Sequence, residues 1–485
     1  MPHGPFGSQE RTFFAALGDV VFGNPFSRDR EALVARLAAG APARELAADR
    51  EALARVVAPR VAALPPNLGA EDRRLVEPAL LYVSYHRYVP QLDALIERQA
   101  KASAPLSVPF GDEAIGGLVA SGFEPERAVR LFSFYFQLRR AFYFIQRSLT
   151  GECESMQRLR EALWNNVVTH DMRGFEAALW NRMEDFSTLI LGETGTGKGE
   201  AAAAMGRSQY IPYLPHERRF ATSFAESFIS LNLSQYAETL IESELFGHRK
   251  GAFTGAVDNH RGVLERCSEH GALFLDEIGE VSIPVQIKLL QVLQQRVFTP
   301  VGGHERKRFS GRVIAATNQP LDTLRREGRF RDDFYYRLCS DVIQVPPLRQ
   351  RIAESPRELE QLVHVLVARV AGEPREELAA KVLEALEENV PKGYVWPGNV
   401  RELEQAVRRI LLTGAYQPPA AAAPGLDPDA RLASEVREGA LTADELLGRY
   451  CLLLYRRLGS YASVAQRVGL DPRTTRKYIE SARSG

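Results

Sequence analysis

Three glycines and a lysine stand close together in the run Gly192-Glu193-Thr194-Gly195-Thr196-Gly197-Lys198. Glycines at this spacing let backbone N–H groups turn inward around phosphate oxygens, and the lysine supplies a point charge for the outer phosphates. The β-prone run Phe186–Leu191 precedes them, and the helix-forming stretch Glu200-Ala201-Ala202-Ala203-Ala204 follows. Strand, loop and helix therefore come in the order a phosphate cradle requires, with the positive end of the helix dipole added to the loop. A plain glycine-rich turn would share the glycines but has no need of the lysine. One position departs from the generic pattern: Gly199 stands where a Ser or Thr hydroxyl would hold Mg²⁺.

Two carboxylates complete the chemistry. Leu273-Phe274-Leu275-Asp276-Glu277 reads as a buried strand ending in acids, which a parallel sheet would carry to its C-terminal edge beside the phosphate-loop strand. There Asp276 would bind Mg²⁺ and Glu277 would polarise an attacking water. Asn318 ends the run Ala315-Ala316-Thr317-Asn318, where its amide could touch a γ-phosphate or simply cap a turn. Arg331 and Arg337 flank Asp332-Asp333-Phe334-Tyr335-Tyr336. Either could reach a phosphoryl group of a neighbouring subunit, and either could equally pair with the local aspartates.

The elements that must position these residues follow from periodicity. Five short apolar runs, Phe186–Gly192, Phe228–Asn232, Gly271–Glu277, Arg312–Asn318 and Asp341–Pro346, alternate with helical or loop segments, which predicts an α/β domain with a mostly parallel sheet. Gln209–Ser227 reads as a long loop between the first helix and the second strand. Residues 1–145 carry apolar residues at helical spacing and predict an all-α domain. Its segment Ala128–Leu149 is rich in aromatics, including Phe132, Phe134, Tyr135, Phe136, Phe142, Tyr143 and Phe144. Such a stripe is either core or the lining of a pocket. Residues 146–346 form the α/β core and 347–413 are helical. The run Tyr416-Gln417-Pro418-Pro419 begins a linker assigned to 414–440, and 441–485 form a last helical unit.

With 485 residues, 45% of them apolar and 25% charged, the chain has the composition of a multidomain soluble protein. Its formal net charge of zero leaves any basic surface local. The four cysteines are scattered, with no CxxC pair, so neither a zinc site nor a disulfide framework is expected. No signal peptide or membrane span is predicted, and a cytoplasmic location is expected.

The region from about Leu149 to Thr413 strongly resembles the AAA+ domain of bacterial sigma-54-dependent transcription activators, the enhancer-binding proteins. The resemblance rests on Gly192–Lys198, Glu242–His248, Lys250-Gly251-Ala252-Phe253-Thr254-Gly255-Ala256 and Gly271–Glu280. It continues through Gln286–Leu290, Val301-Gly302-Gly303, Ala315–Asn318, Phe330–Leu338 and Trp396–Leu403. It implies a central parallel sheet with an α-helical lid, ATP and Mg²⁺ as cofactors, and a ring, usually a hexamer, with nucleotide between subunits. Gly192, Glu193, Thr194, Gly195, Thr196, Gly197, Lys198 and Gly199 would cradle the phosphates. Asp276 and Glu277 would serve metal and water, Asn232 would switch the glutamate, and Asn318 would be the first sensor. Arg401 would be the lid arginine, and Arg331 or Arg337 the arginine acting in trans. Gly251, Ala252, Phe253, Thr254, Gly255 and Ala256 would engage sigma-54 in the polymerase complex. Read without the family, Phe253 on a glycine-flanked tip could equally be buried under a turn.

This chain differs from the family at Gly199, where glutamate is usual, and in a longer approach near Arg182 and a longer Gln209–Ser227. A rival reading uses Gly199: a DNA-bound scaffold that binds ATP but barely hydrolyses it. At the C-terminus, Tyr461–Ile479 reads as helix, tight turn, helix, with Gly469 at the turn and Asp471-Pro472 starting the second helix. Arg473, Thr474, Arg476 and Lys477 on that helix suit double-stranded DNA, as in the helix-turn-helix that ends many members of this family, although a solvated basic helix has the same composition.

Overall fold

The structure is a computed structural model that describes residues 6–38, 46–65, 67–418 and 441–484, together with the isolated residues 432 and 436. Most of the expected linker, 414–440, lies outside the described residues. The chain forms two compact units. One consists of Met1–Ala379 with Gly398–Gln405, and the other of Ala380–Pro397 with Ala406–Gly485.

The first unit is built on a five-stranded parallel sheet: β1 Thr188–Leu191, β2 Phe228–Asn232, β3 Ala272–Asp276, β4 Arg312–Thr317 and β5 Asp341–Gln344. All five occupy the predicted apolar runs. The spatial order is β2-β3-β4-β1-β5. This corrects one expectation: β3 does not lie beside the phosphate-loop strand, because β4 runs between them. The register pairs Asn232 with Asp276, Asp276 with Ala316, and Leu191 with Thr317. Strand ends that are far apart in sequence thus meet along one edge.

Both faces of the sheet are covered, which is why the strands read as nearly continuous apolar runs. Successive side chains point to opposite faces. Ala272 and Phe274 enter one core, and Leu273 and Leu275 the other. The second core is closed by helices that include Glu238–Phe246, Ile283–Gln295 and Asp332–Leu338.

The first core extends well beyond the sheet. Numbered from the N-terminus, the helices are α1 Ser8–Phe22, α2 Arg28–Leu37, α3 Leu46–Ala62, α4 Ala70–Gln99, α5 Gly111–Ala120, α6 Pro125–Ser148, α7 Glu154–Val168 and α8 Lys198–Gly206. α6 is the predicted aromatic helix, started by Pro125 and capped by the Glu124 carboxylate, which accepts from the Glu126 and Arg127 amides. It packs on α8, the helix that follows the glycine loop. Its Arg140 is fully buried, and the guanidinium donates to Arg207 O and Gln209 O, each at 2.7 Å, just past the C-terminal end of α8. Those carbonyls lie at the negative end of the α8 dipole, so a buried cation is favoured there, although burial pulls its pKa down to about 9.

The apolar core accordingly does not break at residue 145. Leu131, Phe132, Phe136 and Phe144 share one cluster with Ile190, Ala202, Met205 and Phe274. The stretch Gln209–Ser227, expected as a loop, holds a small hairpin of Tyr213–Leu214 and Arg219–Phe220. It receives α6: Phe220 stacks on Phe136 at 4.0 Å, and Ser133 Oγ accepts from the Tyr213 amide. Its aromatic residues are the reason it is ordered. A composition of prolines and aromatics marks a loop only until those rings find a partner face.

A buried network ties α7 to the opposite edge of the sheet. Arg312 at the start of β4 donates to Phe186 O, Asn166 O and Asn166 Oδ1, and the Asn166 amide donates to Asp341. Among the described residues no helix is long and apolar enough to cross a membrane.

The second unit includes the C-terminal helices Ala443–Leu458, Tyr461–Val468 and Pro472–Ser484. Thr442 and Glu445 form a capping box, Gly459 and Gly469 end their helices in the left-handed region, and Asp471 caps the last helix. Cys451, Leu454, Val464 and Ile479 make their core. The predicted helix, turn and helix are thus present, preceded by a third helix that closes the apolar side.

The continuous core generates an expectation. Phe136→Ala should destabilise the first unit by roughly 3–5 kcal/mol, the usual cost of emptying a buried phenylalanine site. In urea unfolding, helix loss and loss of nucleotide binding should move together to lower denaturant. Nucleotide binding that keeps its midpoint while part of the helix signal melts earlier would contradict a shared core.

Candidate functional site

The loop after β1 is held open by its glycines. Gly195 has φ +80°, and a Cβ there would lie 2.3 Å from Gly398 O. Gly197, at φ +103°, is the N-cap of α8. No L side chain sits comfortably in either conformation. Lys198 is almost buried at 7% exposure, and its Nζ donates to Gly192 O at 2.9 Å and Glu193 O at 3.2 Å. Thr196 Oγ1 donates to Glu193 O. At Gly199 an added Cβ would meet open space, so a larger residue would fit there. The missing hydroxyl is a chemical difference and not a steric one.

The sheet register brings the acids to this loop. Asp276 ends β3, and Glu277 follows in the left-handed region at φ 57°, ψ 47°. That conformation is strained for a glutamate, and strain of this kind is held where the surroundings demand a particular side-chain direction. Burial pushes both carboxyls above the usual carboxylate range, with Lys198 pulling each back down. Burial likewise lowers the Lys198 ammonium, and the two carboxylates oppose that. The three charges thus offset part of the burial that each suffers.

Asn232 donates to Asp276 Oδ2 at 3.4 Å and accepts from the Ser234 amide and hydroxyl. Its carboxylate partner is therefore Asp276; the glutamate it was expected to switch is instead approached by the Asn318 amide, 3.4 Å from Glu277 Oε2. The Asn318 side chain donates to Thr194 Oγ1 at 2.7 Å. One residue thus spans the loop and Glu277, more than the turn cap that the sequence alone left open.

The lid segment reaches the loop through its backbone. The Arg401 amide donates to Gly195 O at 3.3 Å, while its side chain stays exposed and adds positive potential at Lys198 and Asp276. Two further residues clamp this junction that sequence reasoning did not single out. Asn399, fully buried at φ 53°, donates to Glu193 Oε2 and Thr194 O and accepts from the Leu348 amide. Arg349 grips Glu193 with two bonds, at 2.7 and 2.5 Å, and draws that carboxyl below its ordinary range. The signal for Asn399 was its place between Gly398 and Arg401 in a motif already noted. For Arg349 there was none, since only the fold opposes it to Glu193.

Arg331 and Arg337 take partners of their own, outside the loop. Arg331 forms an exposed two-bond pair with Asp333, and Arg337 donates twice to Leu293 O. The segment Gly251–Ala256 closes on itself: the Gly251 amide donates to Ala256 O, and both glycines have positive φ, 82° and 101°. Phe253 rests edge-on against the His248 ring at 4.9 Å and remains 37% exposed. It is neither swallowed by the fold nor free of it. A neighbouring turn supports the base, because the Arg249 amide donates to Val301 O and Gly302 lies against Ala252. On the last helix Arg473, Arg476 and Lys477 are exposed. The Thr474 hydroxyl is bonded to Asp471, so it belongs to the helix cap.

A divalent ion fits this edge in one manner. Among the described residues no group of three or more His, Cys, Asp or Glu could hold a metal alone. Asp276 offers a hard oxygen donor beside the phosphate loop, and Mg²⁺ is commonly held by one or two carboxylates together with substrate phosphates.

A phosphate loop, an acid pair and a polar strand end at one edge of a β2-β3-β4-β1-β5 parallel sheet define a nucleoside-triphosphate-binding α/β domain of the AAA+ class. The family model described as the sigma-54 interaction domain matches residues 172–344. The Nif-specific regulatory protein of Azotobacter vinelandii is 38% identical over 275 residues, covering 56% of this chain and 45% of its own. The DNA-binding transcriptional regulator NtrC of Azospirillum brasilense is 40% identical over 229 residues, covering 47% of this chain and 43% of its own. The chain thus spans about half the length of the curated relatives it matches. A crystal structure of NtrX from Brucella abortus in complex with ADP aligns at 23% identity and a TM-score of 0.41, covering 77% of this chain and 80% of its own.

Asn399→Ala should cost about 2–4 kcal/mol, because it removes three hydrogen bonds and leaves buried groups unpaired. A thermal melt lowered in proportion, together with weaker ADP binding by calorimetry, checks this. An unaltered ADP affinity would show that the clamp does not shape the loop.

Proposed function

We propose that this protein is a sigma-54-dependent transcription activator: a ring-forming ATPase that binds upstream DNA and uses ATP hydrolysis to remodel sigma-54 RNA polymerase into its open state. The observation that carries the reading is the meeting of Lys198, Asp276, Glu277 and Asn318 at one sheet edge, within a sigma-54 interaction domain that also presents the Gly251–Ala256 loop.

In this reading the loop amides and Lys198 bind the β- and γ-phosphates of ATP, leaving the carbonyls of Gly192 and Glu193. Asp276 would hold Mg²⁺, which would neutralise phosphate charge. Glu277 orients and polarises the attacking water, and Asn318 reports γ-phosphate to the loop and to Glu277. Asn232 acts on this pair through Asp276. Arg331 is the arginine offered to the neighbouring subunit, because its exposed pair with Asp333 is readily given up. Arg337 is committed to the end of the helix Ile283–Gln295. Loss of γ-phosphate repositions Phe253 from its seat on His248. Arg473, Arg476 and Lys477 face the major groove, while Thr474 starts their helix. The rival scaffold reading is not favoured, since the acid pair and Asn318 are in place and Gly199 leaves room without obstruction.

Lys198→Ala should abolish ATP binding, whereas Glu277→Ala should bind ATP normally and lose turnover. Steady-state hydrolysis and nucleotide titration separate the two; unchanged turnover in Glu277→Ala would overturn the mechanism. Burial raises the Glu277 pKa, so it takes up a proton at higher pH than a free glutamate. The acid limb of the kcat/KM profile should therefore lie above the ordinary glutamate range, with activity lost below it.

Phe253→Ala should hydrolyse ATP at near the parental rate and fail to open a sigma-54 promoter in vitro. Retained opening would show that the loop is not the polymerase contact.

A further inference from the structure

The aromatic helix α6 has two working faces. One side, through Ser133, Phe136 and Arg140, holds the hairpin after α8 and the end of α8 itself. The other side opens on a cleft of about 570 Å³ lined by α3, α4, α6, α7, the end of α1 and the segment Met172–Glu176. Its walls are rings: Phe22, Tyr85, Phe134, Phe142, Trp164 and Phe175 supply much of the lining. It lies between the N-terminal helices and the segment Trp164–Glu176, whose last residues fall within the stretch that the family model matches, and no residue of the nucleotide site lines it.

We propose that this cavity binds an uncharged, mainly aromatic small molecule. Its volume lies within the range of about 300–1,000 Å³ found for small-molecule clefts and cavities, which are likewise apolar with a few polar groups, and its open side gives a ligand a way in. A chain that needed only a filled core would close such a space, because unfilled walls forfeit their dispersion contacts. Here the wall keeps a small residue, Ala54, where a larger one would intrude.

The charges at the wall argue for a neutral ligand. Arg139 is engaged by Asp93 through two bonds of 2.5 and 2.6 Å. Glu176 is engaged by Arg127 through two bonds of 2.8 and 3.0 Å. Arg30, the remaining arginine, donates to Val20 O. A charged ligand meeting Arg139 or Glu176 would have to displace its existing ion-pair partner. A flat apolar molecule would stack on the rings and turn one hydroxyl or carbonyl toward the polar edge formed by Tyr85 and His86. The floor of this cavity is the helix whose other face anchors α8, so an occupant would press on the same element that supports the phosphate loop.

The test uses the full chain and N-phenyl-1-naphthylamine, an uncharged aromatic probe that brightens in apolar sites. We expect a saturable rise in its fluorescence with one probe per chain, and quenching of tryptophan emission by energy transfer with the same midpoint. Trp164→Phe should reduce that quenching, because Trp164 is in the cavity wall, with Trp180, which reaches the wall residue Phe134 through Tyr210, supplying the remainder. Leu138→Trp and Ala54→Phe, which fill the space, should each weaken the probe at least ten-fold and leave ADP affinity within two-fold. Non-saturable probe binding, or quenching left undiminished by Trp164→Phe, would overturn the proposal. So would undiminished probe affinity in either filling variant that retains ADP binding. No nucleotide is needed for the probe titration, so its failure is distinguishable from failure of the ATPase reading.

Discussion

The partly desolvated ammonium of Lys198 is the constraint around which the structure is arranged. Taking a cation out of water is costly unless partners replace the lost solvation. Here two loop carbonyls, with Asp276 and Glu277 nearby, do so. The carbonyls require left-handed glycines at Gly195 and Gly197. The carboxylates require β3 to end level with the loop, two strands away from β1. The parallel register supplies that alignment, and the two apolar faces of the sheet keep the register from slipping, since a one-residue shift would exchange the two cores.

From that centre the lid junction and the N-terminal helices follow as supports on two sides. Asn399 and the Arg401 amide bind the outer surface of the loop, while Arg349 restrains Glu193. Just past the far end of the loop helix, Arg140 reaches in from α6 to bind the carbonyls of Arg207 and Gln209. A helix with Lys198 at its start and the backbone beyond its end held by Arg140 is a short path between the glycine loop and the N-terminal helices. The N-terminal helices are therefore packed into the same core as the parallel sheet.

Much of this was legible in the chain. The five strands announced themselves as apolar runs, because burial on both faces leaves no room for polar alternation. The phosphate loop, the acid pair and the C-terminal helix-turn-helix were legible because each rests on local rules: glycine at positive φ, a strand ending in acids, a capped helix after a tight turn. Less legible were partners distant in sequence. Nothing near Arg349 points to Glu193, and the prolines and rings of Gln209–Ser227 read as a loop until Phe220 meets Phe136.

By itself, then, the sequence determined which residues bear charge, which backbone positions demand glycine, and which segments must be strands or helices. These are decided within a few residues of chain. Only the tertiary structure decided that β4 separates β3 from β1, that Asn232 meets Asp276 instead of Glu277, and that α6 has a cavity on one face and the loop helix on the other. The physical reason is common to all three. Each depends on which apolar faces pack together across long separations, a choice made by the summed burial of the whole chain and not by any one stretch of it.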